Sequence, residues 1–502
     1  MKKTIAFLFI CLSLFFTAAC NGGELTQEQL KEGAPDYSDS TLQMPLFGYA
    51  PPGDGTYVEN GVTYNVGEDF RTEERYREYA DSGLNILMLD GDNSYSGENF
   101  ATSQLKKNMD NAELAGLDVI VFDARLHHLT TVDGGLIGEG KLYATAEDLQ
   151  AYIRECVEPY AAHPAFYGVT LLDEPSYEKF QAIGEFYHAY KAVLPDGFAQ
   201  VNLLPLNDSA TGFYCEPSSE DVTVRYRKYL EGFYDATGAD YIMFDSYPMA
   251  QTNSGEYNIR ARHAPGLQIA AEVAKERGLD VFVVCQTCSH SSAGVMQTRK
   301  CNKADMYWQT NLLMGFGVKQ ISYFTYWRKR VSSTSGEWFY NNGSSFMTTE
   351  GEKTELYYAM QTIHEEMQKL APTILNFDYS GCTYELGQPL SFSSAQLSGL
   401  KKSAAMINVE KLEVGAGDMG LLTELVDKDS GQTLYMLQNA LDPALSREFR
   451  GLEMEAKITF KGIEKKRILV YDKGEPTYYA LESDGSFTFE LSPGYAVFIL
   501  PY

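Results

Sequence analysis

The feature that most constrains this chain is a phrase repeated along its first three quarters: an amphipathic helix, a glycine, a polar residue, then a buried strand. Gly83-Leu84-Asn85 leads into Ile86-Leu87-Met88-Leu89-Asp90, and Gly116-Leu117-Asp118 into Val119-Ile120-Val121-Phe122-Asp123. Gly238-Ala239-Asp240 precedes Tyr241-Ile242-Met243-Phe244-Asp245, and Gly278-Leu279-Asp280 precedes Val281-Phe282-Val283-Val284-Cys285. Gly317-Val318-Lys319-Gln320 runs into Ile321-Ser322-Tyr323-Phe324. Such strands are apolar on both faces, as parallel strands covered by helices must be. The intervening segments carry the 3.6-residue pattern; Leu149, Tyr152, Ile153, Cys156 and Val157 form one stripe behind a capping-box signal at Thr145–Asp148.

Strands are expected at Leu46–Tyr49, Leu84–Asp90, Leu117–Asp123, Phe166–Glu174, Phe198–Leu204, Tyr241–Tyr247, Leu279–Gln286 and Lys319–Trp327. Eight β/α units over residues 41–375 predict an α/β fold closed into a (β/α)8, or TIM, barrel. No GxGxxG follows the first strand, which argues against a doubly wound nucleotide-binding sheet. Beyond Ala371-Pro372 the texture changes. Gln432–Gln438, Glu455–Lys461, Arg467–Tyr471, Ser486–Leu491 and Tyr495–Leu500 are short β-rich runs between turn residues. They predict an all-β sandwich over residues 376–502.

The formal net charge is −27, and no basic patch offsets it, which excludes nucleic acid and an anionic lipid surface as expected partners. At the N-terminus, Lys2 and Lys3 precede an apolar run, Ile5 to Phe16, too short for a permanent span. It closes on Thr17-Ala18-Ala19-Cys20, which resembles a bacterial lipoprotein signal. That resemblance implies a signal peptide over residues 1–20, lipidation at Cys20, a flexible tether over 21–40, and an extracytoplasmic protein touching membrane only through its anchor. Cys285-Gln286-Thr287-Cys288 is a CxxC with no second pair at zinc-site spacing, and is read as packed thiols or one local disulfide. His127 and His128 lack a third ligand at sensible spacing, so neither a metal nor a cofactor is expected.

In a barrel the C-terminal strand ends converge. Here they are Tyr49, Asp90, Asp123, Asp173 with Glu174, Asn202, Asp245 with Tyr247, Gln286, and Tyr326 with Trp327. Carboxylates, amides and aromatic rings suit a sugar, whose hydroxyls need planar polar partners and whose C–H face lies on an aromatic ring. Strand periodicity sends Asp173 and Glu174 to opposite sides, one toward the cavity and one bracing the strand end. Glycoside hydrolysis needs one carboxylic acid to protonate the leaving oxygen and a second carboxylate as nucleophile or base. Glu174 is the candidate acid, its pKa raised by Asp173. Asp245 is the candidate partner, with Asp90 and Asp123 as fallbacks. Tyr49, Asn202, Tyr247, Gln286, Tyr326 and Trp327 would position the sugar. Trp338 and Tyr340, in the loop after the eighth strand, could wall a subsite.

With these residues placed, the barrel resembles the clan of retaining (β/α)8 glycoside hydrolases that includes the β-galactosidases, in which the acid/base glutamate ends strand four, as LLDEP (Leu171–Pro175) does here. YGVTLLDEPS, VNLLP, YIMFDSYP, FVVCQT and QISYFTYW are similar to segments of bacterial glycosidase-like lipoproteins. One departure matters. The clan places its nucleophilic glutamate at the end of strand seven, where this chain has Gln286. An amide cannot form a glycosyl ester, so Asp245 supplies the second carboxylate, the substrate supplies its own nucleophile, or the protein binds glycans without cleaving them.

Overall fold

The computed structural model describes residues 25–39, 41–59, 62–215, 219–251, 255–292, 295–296, 298–327, 339–340, 345–387, 394–444 and 453–502. Eight parallel strands stand where the repeated phrase places them: β1 Leu46–Gly48, β2 Ile86–Leu89, β3 Asp118–Phe122, β4 Phe166–Asp173, β5 Phe198–Asn202, β6 Tyr241–Ser246, β7 Asp280–Gln286 and β8 Val318–Phe324. Their order in the sheet is β5-β4-β3-β2-β1-β8-β7-β6. Helices follow each strand, among them Glu73–Asp81, Gln104–Leu114, Ala146–Val157, Phe180–Val193 and Val222–Thr237. The fold is a (β/α)8 barrel. All six residues of β6 are buried, as a strand with a packed interior on one side and helices on the other requires.

Local signals explain the boundaries. Thr145 and Asp148 form the expected capping box, and Leu149, Ile153, Cys156 and Val157 turn inward behind it. Gly238 and Gly278 end their helices at φ of 62° and 70°, a left-handed conformation that a side chain would penalise. The barrel closes at one seam. Between β5 and β6 a single bridge joins Leu203 to Phe244, with Leu203 N donating to the Met243 carbonyl at 2.8 Å. The Tyr241 hydroxyl fills the gap below, donating to the Ala199 carbonyl at 2.6 Å and accepting from Val201 N at 3.0 Å.

Residues 377–501 form an all-antiparallel domain, with six strands in one sheet and three in another. Thr433–Asn439, Met454–Phe460, Arg467–Asp472, Ser486–Leu491 and Ala496–Pro501 match the expected runs within a residue or so. Leu422, Tyr435, Leu437, Ile458 and Ile499 pack between the sheets. The other side of the larger sheet packs on the barrel. Trp308 Nε1 donates to the Ala440 carbonyl at 3.1 Å, and Gln438 Nε2 donates to the Trp308 carbonyl at 2.9 Å. Arg299 sits in the middle of this joint, paired with Asp305 at 2.8 Å and Asp442 at 2.5 Å, all three side chains almost fully buried.

One expectation needs correction, and the cysteine reading narrows to packed thiols. Residues 25–39, read as tether, are docked on the β domain. A short helix, Gln27–Lys31, pairs its first side chain with both backbone groups of Tyr478, at 3.0 and 3.1 Å. Tyr37 packs its ring at 5.0 Å, tilted, against Phe377 and donates to Asp427 at 2.8 Å. A polar composition conceals this, because the contacts run through backbone groups and a few anchors such as the buried Leu30. Among the described residues the six cysteines are free thiols. Residues 1–24, with the signal and Cys20, and Trp338 lie outside the described residues.

Replacing Asp442 by Ala leaves Arg299 half-paired inside the joint. We expect a loss of about 3 kcal/mol in unfolding free energy, measurable by denaturant titration.

Candidate active site

The site is built on the ends of β4, β5 and β6. At β4 the register with β5 slips between Thr170 and Leu172, a bulge that leaves Leu171 unopposed. The Leu171 carbonyl is held by Thr130 Oγ1 at 3.2 Å and lies 2.5 Å from His127 Nδ1. Three residues on, Glu174 adopts φ of 47°, a left-handed conformation that costs a non-glycine residue about 1 kcal/mol. Its amide is pinned to the Asn202 carbonyl at 2.7 Å, and the next carbonyl, Pro175, accepts from the Tyr229 hydroxyl at 2.6 Å. The result corrects the periodicity argument. Instead of diverging, Asp173 and Glu174 both face the mouth.

Four side chains then form a continuous chain of contacts. Asn202 Nδ2 donates to Asp173 Oδ1 at 2.8 Å and approaches Asp245 Oδ1 at 3.4 Å. Asp245 and Glu174 are hydrogen-bonded carboxyl to carboxyl, which requires a proton between them. Tyr247 donates to Asp245 as well. Solvent reaches Asp173 and Glu174, yet the walls of the mouth crowd their carboxyls and take away part of their water. This dehydration, reinforced by the charge of Asp173 and opposed by the bond from Asp245, pushes the Glu174 carboxyl up to about 7. Burial, then the charges of Glu174 and Asp173, drives Asp245 well above the carboxylate range. Burial also raises Asp173, against the donated bond from Asn202. The arrangement keeps one exchangeable proton at the mouth near neutral pH, which is what a general acid requires.

Aromatic rings complete the wall. Tyr49 accepts from Gln200 Nε2 at 2.7 Å, so its own proton is available to a ligand. The ring of Phe324 lies 6.2 Å from Tyr49 and 5.6 Å from Tyr247. Asp90 takes the Ala50 amide at 3.2 Å, and its charge is felt at Asp173 and Tyr49.

No protein-family profile matches the chain, and no curated protein matches it. Solved structures do. A glycoside hydrolase aligns over 92% of this chain and 92% of its own at 12% identity, with a TM-score of 0.48. A glycoside hydrolase family 5 protein from Bacteroides vulgatus aligns over 92% and 89% at 11% identity, TM-score 0.49. The GH39 enzyme from Xanthomonas axonopodis pv. citri aligns over 93% and 94% at 10% identity, TM-score 0.40.

The remaining strand-end residues do other work. Asp123 is fully buried, bound by Arg125 at 2.6 Å and by the Tyr160 hydroxyl at 3.1 Å. Gln286 is 1% exposed. Its amide joins two loops, accepting from Met249 N at 2.9 Å and donating to the Arg299 carbonyl at 2.8 Å. Neither side chain is free to meet a ligand. Tyr326 is buried against Tyr79 at 4.5 Å. Trp327 packs on Phe70 at 4.6 Å and lines a separate hollow of about 30 Å³ with Tyr57 and Asp92. Among the described residues, three metal-capable side chains with ligand atoms within 4.8 Å of one another occur at Asp110, Glu113 and His163. These lie outside the mouth, and Lys106 already claims Asp110 at 2.6 Å.

Two neighbours escaped the strand-end argument. Phe324 ends β8 three residues earlier than expected, so it, and not Trp327, faces inward. Arg260 follows a hairpin after β6 and is within electrostatic reach of Asp245; a lone arginine in a loop carries no sequence signal.

The Glu174 carboxyl stands above its ordinary 4.5 in the folded chain. Folding therefore holds a proton that the unfolded chain releases earlier, and its stabilising contribution is complete below about pH 4.5 and lost as pH rises through 7. Glu174→Gln, which fixes a neutral group, should raise the melting temperature at pH 8 and leave it nearly unchanged at pH 4.5 in thermal scans.

Proposed function

We propose that the protein is a glycoside hydrolase acting on oligo- or polysaccharide outside the cytoplasm, held to a bacterial membrane by a lipid on Cys20. Glu174 is the general acid. The observation that carries this reading is a carboxyl at the open mouth of a barrel, beside two further acids and an aromatic wall, whose neighbours and crowding raise its pKa. Protonating a glycosidic oxygen is the step such a group suits. Asp245, proposed from sequence as the second carboxylate, holds the proton of Glu174 and keeps its orientation. Tyr49, Tyr247 and Phe324 face the sugar, and Asp173 and Asn202 take its polar substituents. The competing reading is a glycan-binding lipoprotein on a hydrolase-like barrel, favoured by the buried amide at Gln286.

Two measurements bear on this. Glu174→Gln should lower kcat on a cleaved aryl glycoside by roughly 10²–10⁴-fold with KM little changed. The wild-type rate should fall on the alkaline side with an apparent pKa near 7, because the acid must enter protonated. Wild-type protein that binds oligosaccharides and turns none over would be the binder. Separately, Cys20→Ser should abolish incorporation of labelled fatty acid and move the protein from the membrane fraction to the soluble one.

A further inference from the structure

Among the described residues, the hydrolase reading leaves one chemical role unfilled: whatever attacks the anomeric carbon from the face opposite the leaving group. At the end of β7, Gln286 is an amide locked between two loops. Asp245 is hydrogen-bonded to Glu174, carboxyl to carboxyl, which leaves no room for a sugar between them. A retaining pair needs roughly 5 Å between carboxyl groups and an inverting pair more, so that the sugar or a water fits between them. Asp90 is turned onto the Ala50 amide, and its charge acts on Asp173, not among those that act on Glu174.

What the mouth does hold is a set of groups placed to meet a ligand. Asn202, 4% exposed and wedged between Asp173 and Asp245, has an amide oxygen that accepts no hydrogen bond from a described residue. The Tyr49 hydroxyl has a proton to donate. Asp173 presents a carboxylate beside the acid, and Phe324 offers an apolar surface between the two tyrosines. One acceptor for an N–H, one donor for a carbonyl and a wall for a methyl group describe an acetamido substituent.

Resting on the hydrolase reading, we propose that the sugar beside Glu174 is a 2-acetamido-2-deoxy sugar whose own carbonyl oxygen acts in place of a protein nucleophile. That oxygen bonds to C1 while the C1–O glycosidic bond breaks and the leaving oxygen takes the proton of Glu174. Asp173 holds the N–H of the cyclic oxazolinium ion so formed. A water then attacks C1 and gives its proton to Glu174. The bond from C1 to the acetamido oxygen breaks, its electrons restoring the carbonyl. The sum is hydrolysis with retained configuration and no ester on the protein.

The test is a panel of 4-nitrophenyl glycosides, both anomers of gluco and galacto sugars, each with a 2-acetamido or a 2-hydroxyl group. Turnover should be confined to the acetamido series and fall steeply from N-acetyl to N-trifluoroacetyl, whose carbonyl is a poorer nucleophile. A thiazoline mimic of the cyclic ion should inhibit competitively. Asp173→Asn should lose roughly 10²-fold in kcat or more and flatten the fluoroacetyl series, while melting as wild type does. Hydrolysis of 2-hydroxyl glycosides at equal rates, or a glycosyl ester on Asp90 or Asp245 trapped by a 2-deoxy-2-fluoro sugar and seen by mass, overturns the inference and leaves the hydrolase standing. No turnover in either series overturns both.

Discussion

The site depends on one interaction: the hydrogen bond between the carboxyls of Glu174 and Asp245. Two acids in contact cannot both ionise without repulsion of several kcal/mol in so dehydrated a setting, so the pair keeps a proton. Everything around it serves that bond. The bulge at Leu171 and the left-handed backbone of Glu174 aim one carboxyl. The buried end of β6 fixes the other, and Asn202 holds Asp245 in place while also drawing Asp173 into the group.

This arrangement separates two demands that are often met by distance. A proton donor must be neutral before reaction, and its neighbours must be able to carry charge afterwards. Here the neutral state is maintained by crowding acids together, with the aromatic rings of Tyr49, Phe324 and Tyr247 beside them. The cost falls on folding above neutral pH. Arg260, placed near Asp245 from outside the strand ends, offsets part of the accumulated charge.

The sequence carries the fold almost completely, for a physical reason: period, glycine stops and two-sided apolar strands are local and redundant over eight units. Their boundaries are looser, and that looseness reached the site. Because β8 stops at Phe324, Tyr326 and Trp327 fall outside the mouth, and the inward aromatic is one that no motif flags. Asp123 and Gln286 show the second limit. A strand-end position tells where a residue lies but not which way it is spoken for, and both are committed to partners, Arg125 with Tyr160 and the backbone of Met249 with Arg299, that lie far off in the chain or carry no motif. The strand pattern also sent Asp173 and Glu174 apart, since neither a bulge nor a left-handed glutamate is written in residue identity. Glu174, Asp245, Asp173, Asn202, Tyr49 and Tyr247 were legible because the topology, not the pairing of side chains, brings them together.

The barrel's thinnest join runs between β5 and β6, where one bridge and the phenol of Tyr241 stand in for a backbone ladder. Asn202 and Asp245 lie on opposite lips of that join, and their long 3.4 Å contact is its uppermost stitch. Whatever occupies the mouth therefore bears on the part of the cylinder with fewest cross-ties, and a guest spanning both lips would act as a staple for the whole wall.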